Sequence, residues 1–200
     1  MRNWKSFTIV LVFFLLIVVA IFLWHAGTPG PLQKAEHLNF VLISIDTTRA
    51  DAIGVYGNEQ IKTPVIDSFA QGGALFQNAV AHVPLTLPSH TTLMTGLLPA
   101  KNGVRDNHGY RLKQTIPTMA SLFRNKGYKT AAFVSSIILD HRFGLDHGFD
   151  TYNDFIQFGS QQSMNPQNER IASATTTEAV NWLSANQEGP YFLFVHYYDP

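Results

Sequence analysis

The sequence contains no cysteine. That excludes a disulfide framework, a thiolate metal site and a cysteine nucleophile, and it leaves the redox compartment open. Charge is scarce too. Lys+Arg and Asp+Glu each number 14 in 200 residues, so the net charge is zero and charged residues make up 14% of the chain. Such a chain has no basic footprint for a nucleic acid, and no nucleic-acid partner is expected. Internal repeats and low-complexity tracts are absent. So is the G-x-S-x-G elbow, which removes the usual setting for a Ser-His-Asp hydrolase.

What the chain does have is one long apolar run. Phe7 to Trp24, FTIVLVFFLLIVVAIFLW, is 18 residues with Thr8 as its only non-apolar member. A helix of that length can cross the hydrocarbon core of a bilayer. No face of it is polar, which argues against a buried soluble helix. Arg2 and Lys5 precede it and favour a cytoplasmic N-terminus. Trp24-His25-Ala26-Gly27 follows with no A-x-A site, so an uncleaved anchor is expected rather than a cleaved signal peptide. The expected layout is a cytoplasmic tail over residues 1–6, a transmembrane signal anchor over 7–24 and a linker over 25–37. Residues 38–200 would then be extracytoplasmic, either periplasmic or extracellular.

Beyond the linker, strand and helix signals alternate. Phe40–Ile45, Ala74–Ala81, Tyr128–Ser135 and Tyr191–Tyr197 read as strands, the first and last as strands buried on both faces. Thr63-Pro64 can open a helix through Asp67–Gln71, which Gly72-Gly73 stops. Pro88–Thr95, Thr115–Lys126 and Glu169–Ala185 read as further helices. This alternation predicts an α/β sandwich with a largely parallel central sheet flanked by helices. Ligands of such sheets sit at the carboxyl ends of the strands, which singles out Asp46 and Asp199. The sequence stops at Pro200, directly after a central-strand pattern, so the domain is expected to be incomplete at its C-terminus.

The stretch VPLTLPSHTTLMTGLLPAKNGVRDN, Val83–Asn107, holds the candidate chemistry. Thr86 stands just before a Pro-initiated helix, as a cap or as a nucleophile at the positive end of the helix dipole. A hydroxyl nucleophile needs an adjacent base or a metal. His90 lies four residues on, one turn up the helix, which is a poor position for a base. Activation by a metal held on carboxylates is the better physical option.

ISIDTTRAD (Ile43–Asp51), KTPVIDSFAQGGALFQNA (Lys62–Ala79) and TLPSHTTLMTGLLP (Thr86–Pro99) resemble the N-terminal part of a sulfatase, in the alkaline phosphatase superfamily. The resemblance runs in consistent order over residues 38–200 and implies an alkaline-phosphatase-like sandwich. It implies that Asp46 ligates a metal and that Thr86 begins the C/S-x-P-x-R nucleophile motif, with Thr95-Gly96 after it. Three positions depart from the pattern. Thr86 cannot become formylglycine, and the motif's Arg is His90; the second Asp of the usual pair is Thr47. These departures resemble the superfamily's phosphodiesterases, where an unmodified Thr attacks phosphorus.

The resemblance further implies that Asn107 holds a non-bridging substrate oxygen, with His90 beside it bracing the loop. It implies Asp199 as a contributor to the metal site with Asp46 and Thr86. The cofactor would be one or more divalent ions, zinc, manganese or calcium. The substrate would be a small-molecule, glycan or lipid-headgroup ester, phosphate favoured over sulfate. The alternatives are a degenerate, non-catalytic binding domain on a membrane tether and a phosphotransferase using the same Thr.

Overall fold

Alternating strand and helix patterns do build a parallel α/β sandwich. The computed structural model describes residues 17, 38–155 and 169–199. Apart from Ile17, the Phe7 to Trp24 run lies outside them. Among the described residues, no helix is long and apolar enough to cross a membrane. Leu38–Pro200 forms a compact unit of its own.

Among the described residues the sheet has four strands: β1 (Phe40–Ile45), β2 (Lys129–Val134), β3 (Thr151–Asn153) and β4 (Tyr191–Tyr197), in the order β1-β4-β2-β3. Every pairing is parallel. The helices are α1 (Pro64–Gln71), α2 (Thr86–Thr95), α3 (Pro99–Asn102), α4 (Met119–Asn125) and α5 (Ala172–Ala185). Side chains alternate across a strand, so β4 feeds two cores. Phe192 and Phe194 pack with Leu87, Met94, Ala120 and Val134 on the face that carries α2 and α4. Leu193 and Val195 pack with Ala131, Phe133 and Ala179 on the face that carries α5. Full burial of one such phenylalanine contributes roughly 1.5–3 kcal/mol.

The structure corrects several sequence expectations. Ala74–Ala81 is not a strand; it is turn and irregular backbone, with Phe76 and Val80 exposed. Its β-prone composition found no partner edge after Gly72-Gly73. β1 is not buried on both faces, and among the described residues it lies at the sheet edge. Val41 and Ile43 are 50% and 57% exposed, on the side opposite the α2 core.

Helix α2 starts at Thr86, two residues before Pro88. Proline is tolerated there because the first four N–H groups of a helix have no acceptor within it. Helix α4 starts only at Met119, after Thr118 and Ser121 close a capping box. Helix α5 starts at Ala172 rather than Glu169.

Candidate active site

The carboxyl ends of β1 and β4 meet the N-terminus of α2. Ser44 of β1 is in register with His196 of β4. On β1 the side chains of Leu42, Ser44 and Asp46 share a face; on β4, Phe192, Phe194 and His196 do the same. Leu42, Phe192 and Phe194 belong to the core under α2, so this parity brings Ser44, Asp46 and His196 beneath the first turn of that helix.

Asp46 is the hub. Its Oδ2 accepts from the Thr86 hydroxyl at 2.9 Å and lies 3.4 Å from His196 Nε2. Its Oδ1 accepts from the Thr47 N–H at 2.9 Å. Burial by itself would raise the pKa of this carboxyl. The hydrogen bonds from His196 and Thr86 outweigh it, with help from the fields of His90 and His196, and bring the pKa down to about 2. Asp46 is therefore an anion at any physiological pH. Thr47, next to it, has φ 56°, the left-handed region that a β-branched residue rarely enters. Such strain concentrates at functional sites.

Thr86 is not a helix cap. Leu85 holds the cap position without a side-chain bond, and Thr86 is the first helical residue. The job of capping falls to Asn107, whose Oδ1 accepts from the Leu87 N–H at 2.9 Å. Asn107 Nδ2 has no hydrogen-bond partner among the described residues. His90 is buried. Its Nδ1 lies 2.8 Å from the Thr86 carbonyl and its Nε2 lies 2.8 Å from Ser44 Oγ. A carbonyl only accepts, so the ring proton is on Nδ1 and Nε2 accepts from Ser44. Burial and the neighbouring His196 lower the His90 pKa to about 4, against the opposing pull of the Thr86 carbonyl and Asp46. His90 is thus a neutral brace that fixes the Thr86 backbone.

Three of the residues singled out in the sequence converge with Asp46: Thr86, His90 and, through the Leu87 N–H, Asn107. Asp199 does not join them. Its Oδ2 accepts from the Ala172 N–H at 2.9 Å and caps α5. The residue that sequence reasoning missed is His196, which reads as a structural histidine in the middle of an apolar strand. Its signal was parity, since it follows Phe192 and Phe194 at two-residue steps. Asp46, His90 and His196 each offer a ligand atom, all within 4.8 Å of one another. An anionic carboxylate beside a hydroxyl and an imidazole is a donor set that suits a divalent cation. A second cluster, Asp140, His141 and Asp154, lies elsewhere, with His141 largely exposed.

The sequence matches the sulfatase family model over residues 38–200. It is 30% identical over 173 residues to a Delta 4,5-hexuronate-2-O-sulfatase of Bacteroides thetaiotaomicron, covering 84% of this chain and 35% of that one. It is 38% identical over 95 residues to an arylsulfatase of Clostridium perfringens, covering 46% of this chain and 19% of that one. The chain thus spans about a third or less of the length of these relatives. Its fold is similar to that of the phosphonate monoester hydrolase of Agrobacterium radiobacter, with a TM-score of 0.65 at 22% identity, covering 80% of this chain and 40% of that one. A match over the whole of the compact unit means that the chain belongs to the sulfatase family of the alkaline phosphatase superfamily.

Proposed function

We propose that this chain is the N-terminal part of a membrane-anchored, extracytoplasmic ester hydrolase with Thr86 as its nucleophile. The observation that carries this reading is the 2.9 Å hydrogen bond from Thr86 Oγ1 to Asp46 Oδ2 at the start of α2. A hydroxyl that merely capped the helix would bond to a backbone N–H instead.

Asp46 and Thr86 would hold a divalent cation. When bound, such an ion lowers the pKa of a coordinated hydroxyl and offsets the charge of an anionic ester. The chain's own groups do the rest. Asp46, with its pKa of about 2, is too weak a base to keep the Thr86 proton, but it fixes the direction of the O–H bond. His90 fixes the Thr86 backbone through the carbonyl. Asn107 anchors the first turn through Oδ1 and keeps Nδ2 for an equatorial oxygen of the substrate. With its proton passed to solvent, Thr86 Oγ1 attacks the ester phosphorus and the bond to the leaving oxygen breaks, that oxygen departing as an oxyanion or taking a proton from water; water then attacks the Thr86 ester, releasing the phosphate and returning the Thr86 hydroxyl.

Phosphate and phosphonate esters are favoured over sulfate esters. Thr86 cannot be converted to formylglycine, and His90 stands in place of the motif's Arg. The similarity to a phosphonate monoester hydrolase fits that preference. The hexuronate sulfatase relative keeps a glycan ester within the substrate class.

The full-length protein should be assayed on aryl phosphodiester, phosphomonoester and sulfate substrates, with and without chelator. Phosphorus esters should turn over faster, and chelation should stop them. Turnover restricted to sulfate esters would overturn the phosphoester reading. The anchor rests on the Phe7 to Trp24 run and its basic flank. A periplasm-dependent reporter fused after Asp199 should be active, and the mature protein should retain the run; cytoplasmic activity of the fusion would remove the anchor.

A further inference from the structure

We propose that His196 is itself a ligand of the cation at Asp46 and Thr86, and that its nitrogen makes the site select a zinc-class transition metal over calcium. The proposal rests on the reading of Asp46 and Thr86 as the metal-holding pair. It concerns the identity of the ion and a residue that the nucleophile motif does not mark.

His196 is 0% exposed and is the second-last residue of the interior strand β4. A buried imidazole needs partners for both ring nitrogens. Nδ1 has none among the described residues. Nε2 has only Asp46 Oδ2, at 3.4 Å. That is long for an N–H···O bond, whose usual length is about 2.9–3.0 Å. It suits two donors sharing a small cation: bonds of about 2.0–2.2 Å in tetrahedral array set neighbouring donors roughly 3.3 Å apart. Thr86 Oγ1 stands on the same oxygen at 2.9 Å. Nδ1 is orphaned whichever way the ring is protonated, so it does not separate ligation from hydrogen bonding; the Nε2 distance does.

His90 cannot take this place. Both its nitrogens are engaged, by Ser44 and by the Thr86 carbonyl. It instead packs edge-on against His196, ring centroids 4.9 Å apart and planes at 86°, which limits how far the His196 ring can turn. The donors that the described residues of this chain supply are a carboxylate, a hydroxyl and an imidazole. Calcium prefers six to eight oxygen ligands, whereas imidazole favours zinc and its neighbours.

The test is direct metal titration of the full-length protein, wild type and His196→Gln. Gln keeps an N–H that can reach Asp46 but is a poor ligand for zinc. Wild type should bind Zn²⁺ at least a hundredfold more tightly than Ca²⁺. His196→Gln should lose at least tenfold in Zn²⁺ affinity and change the visible spectrum of the Co²⁺-loaded protein, with Ca²⁺ affinity little altered. If the variant does not fold, the Co²⁺-loaded wild type decides: histidine labelling should mark a paramagnetically shifted, exchangeable imidazole N–H assigned to His196. Equal affinity for the two ions, a His196→Gln protein that keeps wild-type Zn²⁺ binding, or no such resonance for His196 would overturn the proposal. No turnover is needed for any of these readings. A calcium-loaded protein that still hydrolyses phosphoesters through Thr86 would remove the zinc inference and leave the proposed function standing.

Discussion

The Thr86 hydroxyl and the Asp46 carboxylate meet at 2.9 Å although 40 positions separate them in the chain. Asp46 ends the edge strand and Thr86 begins the helix laid over it, so the contact joins a strand's carboxyl end to a helix's amino end. A nucleophile placed there has a fixed hydrogen-bond acceptor below it and the positive end of the helix dipole around it. The same bond helps to bring the Asp46 pKa down to about 2, so the pair is an anion holding a neutral hydroxyl.

Replacing Thr86 by Ala should cost about 1.5–3 kcal/mol of stability, the loss of one hydrogen bond to a charged group. Turnover should fall on the order of 10³-fold or more if Thr86 is the nucleophile. Thr86→Ser should recover part of it, since the hydroxyl remains. Urea melts and turnover measured on the three proteins check this. An Ala variant that keeps wild-type turnover would remove Thr86 from the chemistry.

Thr47 stores strain beside the site. Asn tolerates the left-handed region far better than a β-branched residue. Thr47→Asn should therefore raise stability by about 1 kcal/mol, with the Asp46 Oδ1 contact to the residue 47 N–H intact. Denaturant unfolding reads the gain. A loss of stability would mean that the Thr47 side chain contributes more than its backbone costs.

Gly148 and Gly127 both have positive φ, 98° and 81°. A Cβ on Gly148 would collide with the Ser121 N–H and stand 2.8 Å from the Ala120 carbonyl carbon, whereas a Cβ on Gly127 meets nothing within 4 Å. Gly148→Ala should therefore cost roughly 3 kcal/mol or more, because backbone cannot step aside, and Gly127→Ala about 1 kcal/mol. Comparable midpoints for the two variants would show that the Ser121 turn can move.

His141 is exposed, but Asp154 Oδ2 lies 2.7 Å from its Nδ1, and this contact raises its pKa above the ordinary 6.5. A raised folded-state pKa stabilises below the unfolded value, and that contribution is lost as pH rises through the folded value. Asp154→Asn should bring the His141 titration, followed by NMR, back toward 6.5. Its small cost in stability should be seen at pH 5.5–6 and diminish above the wild-type His141 pKa. A His141 titration unchanged by the substitution would rule out Asp154 as the cause.

The sequence by itself determined the fold class and the candidate nucleophile. The apolar runs at Phe40–Ile45, Lys129–Val134 and Tyr191–Tyr197 are strands because their β-branched and aromatic residues suit a pleated, buried surface. Thr86 and Asp46 stand out because one opens a helix and the other closes a strand, positions that short-range pattern can locate. Strand order, exposure and side-chain partners came only from the tertiary structure, because they depend on residues distant in the chain. Ala74–Ala81 has a strand's composition and no edge to pair with; β1 has a core strand's composition and an edge position. Asp199 looks like a metal ligand after a strand, yet its carboxylate caps α5. His196 looks like a buried histidine in an apolar strand. It reaches Asp46 only because the β1–β4 register sets it opposite Ser44, two residues short of that carboxylate.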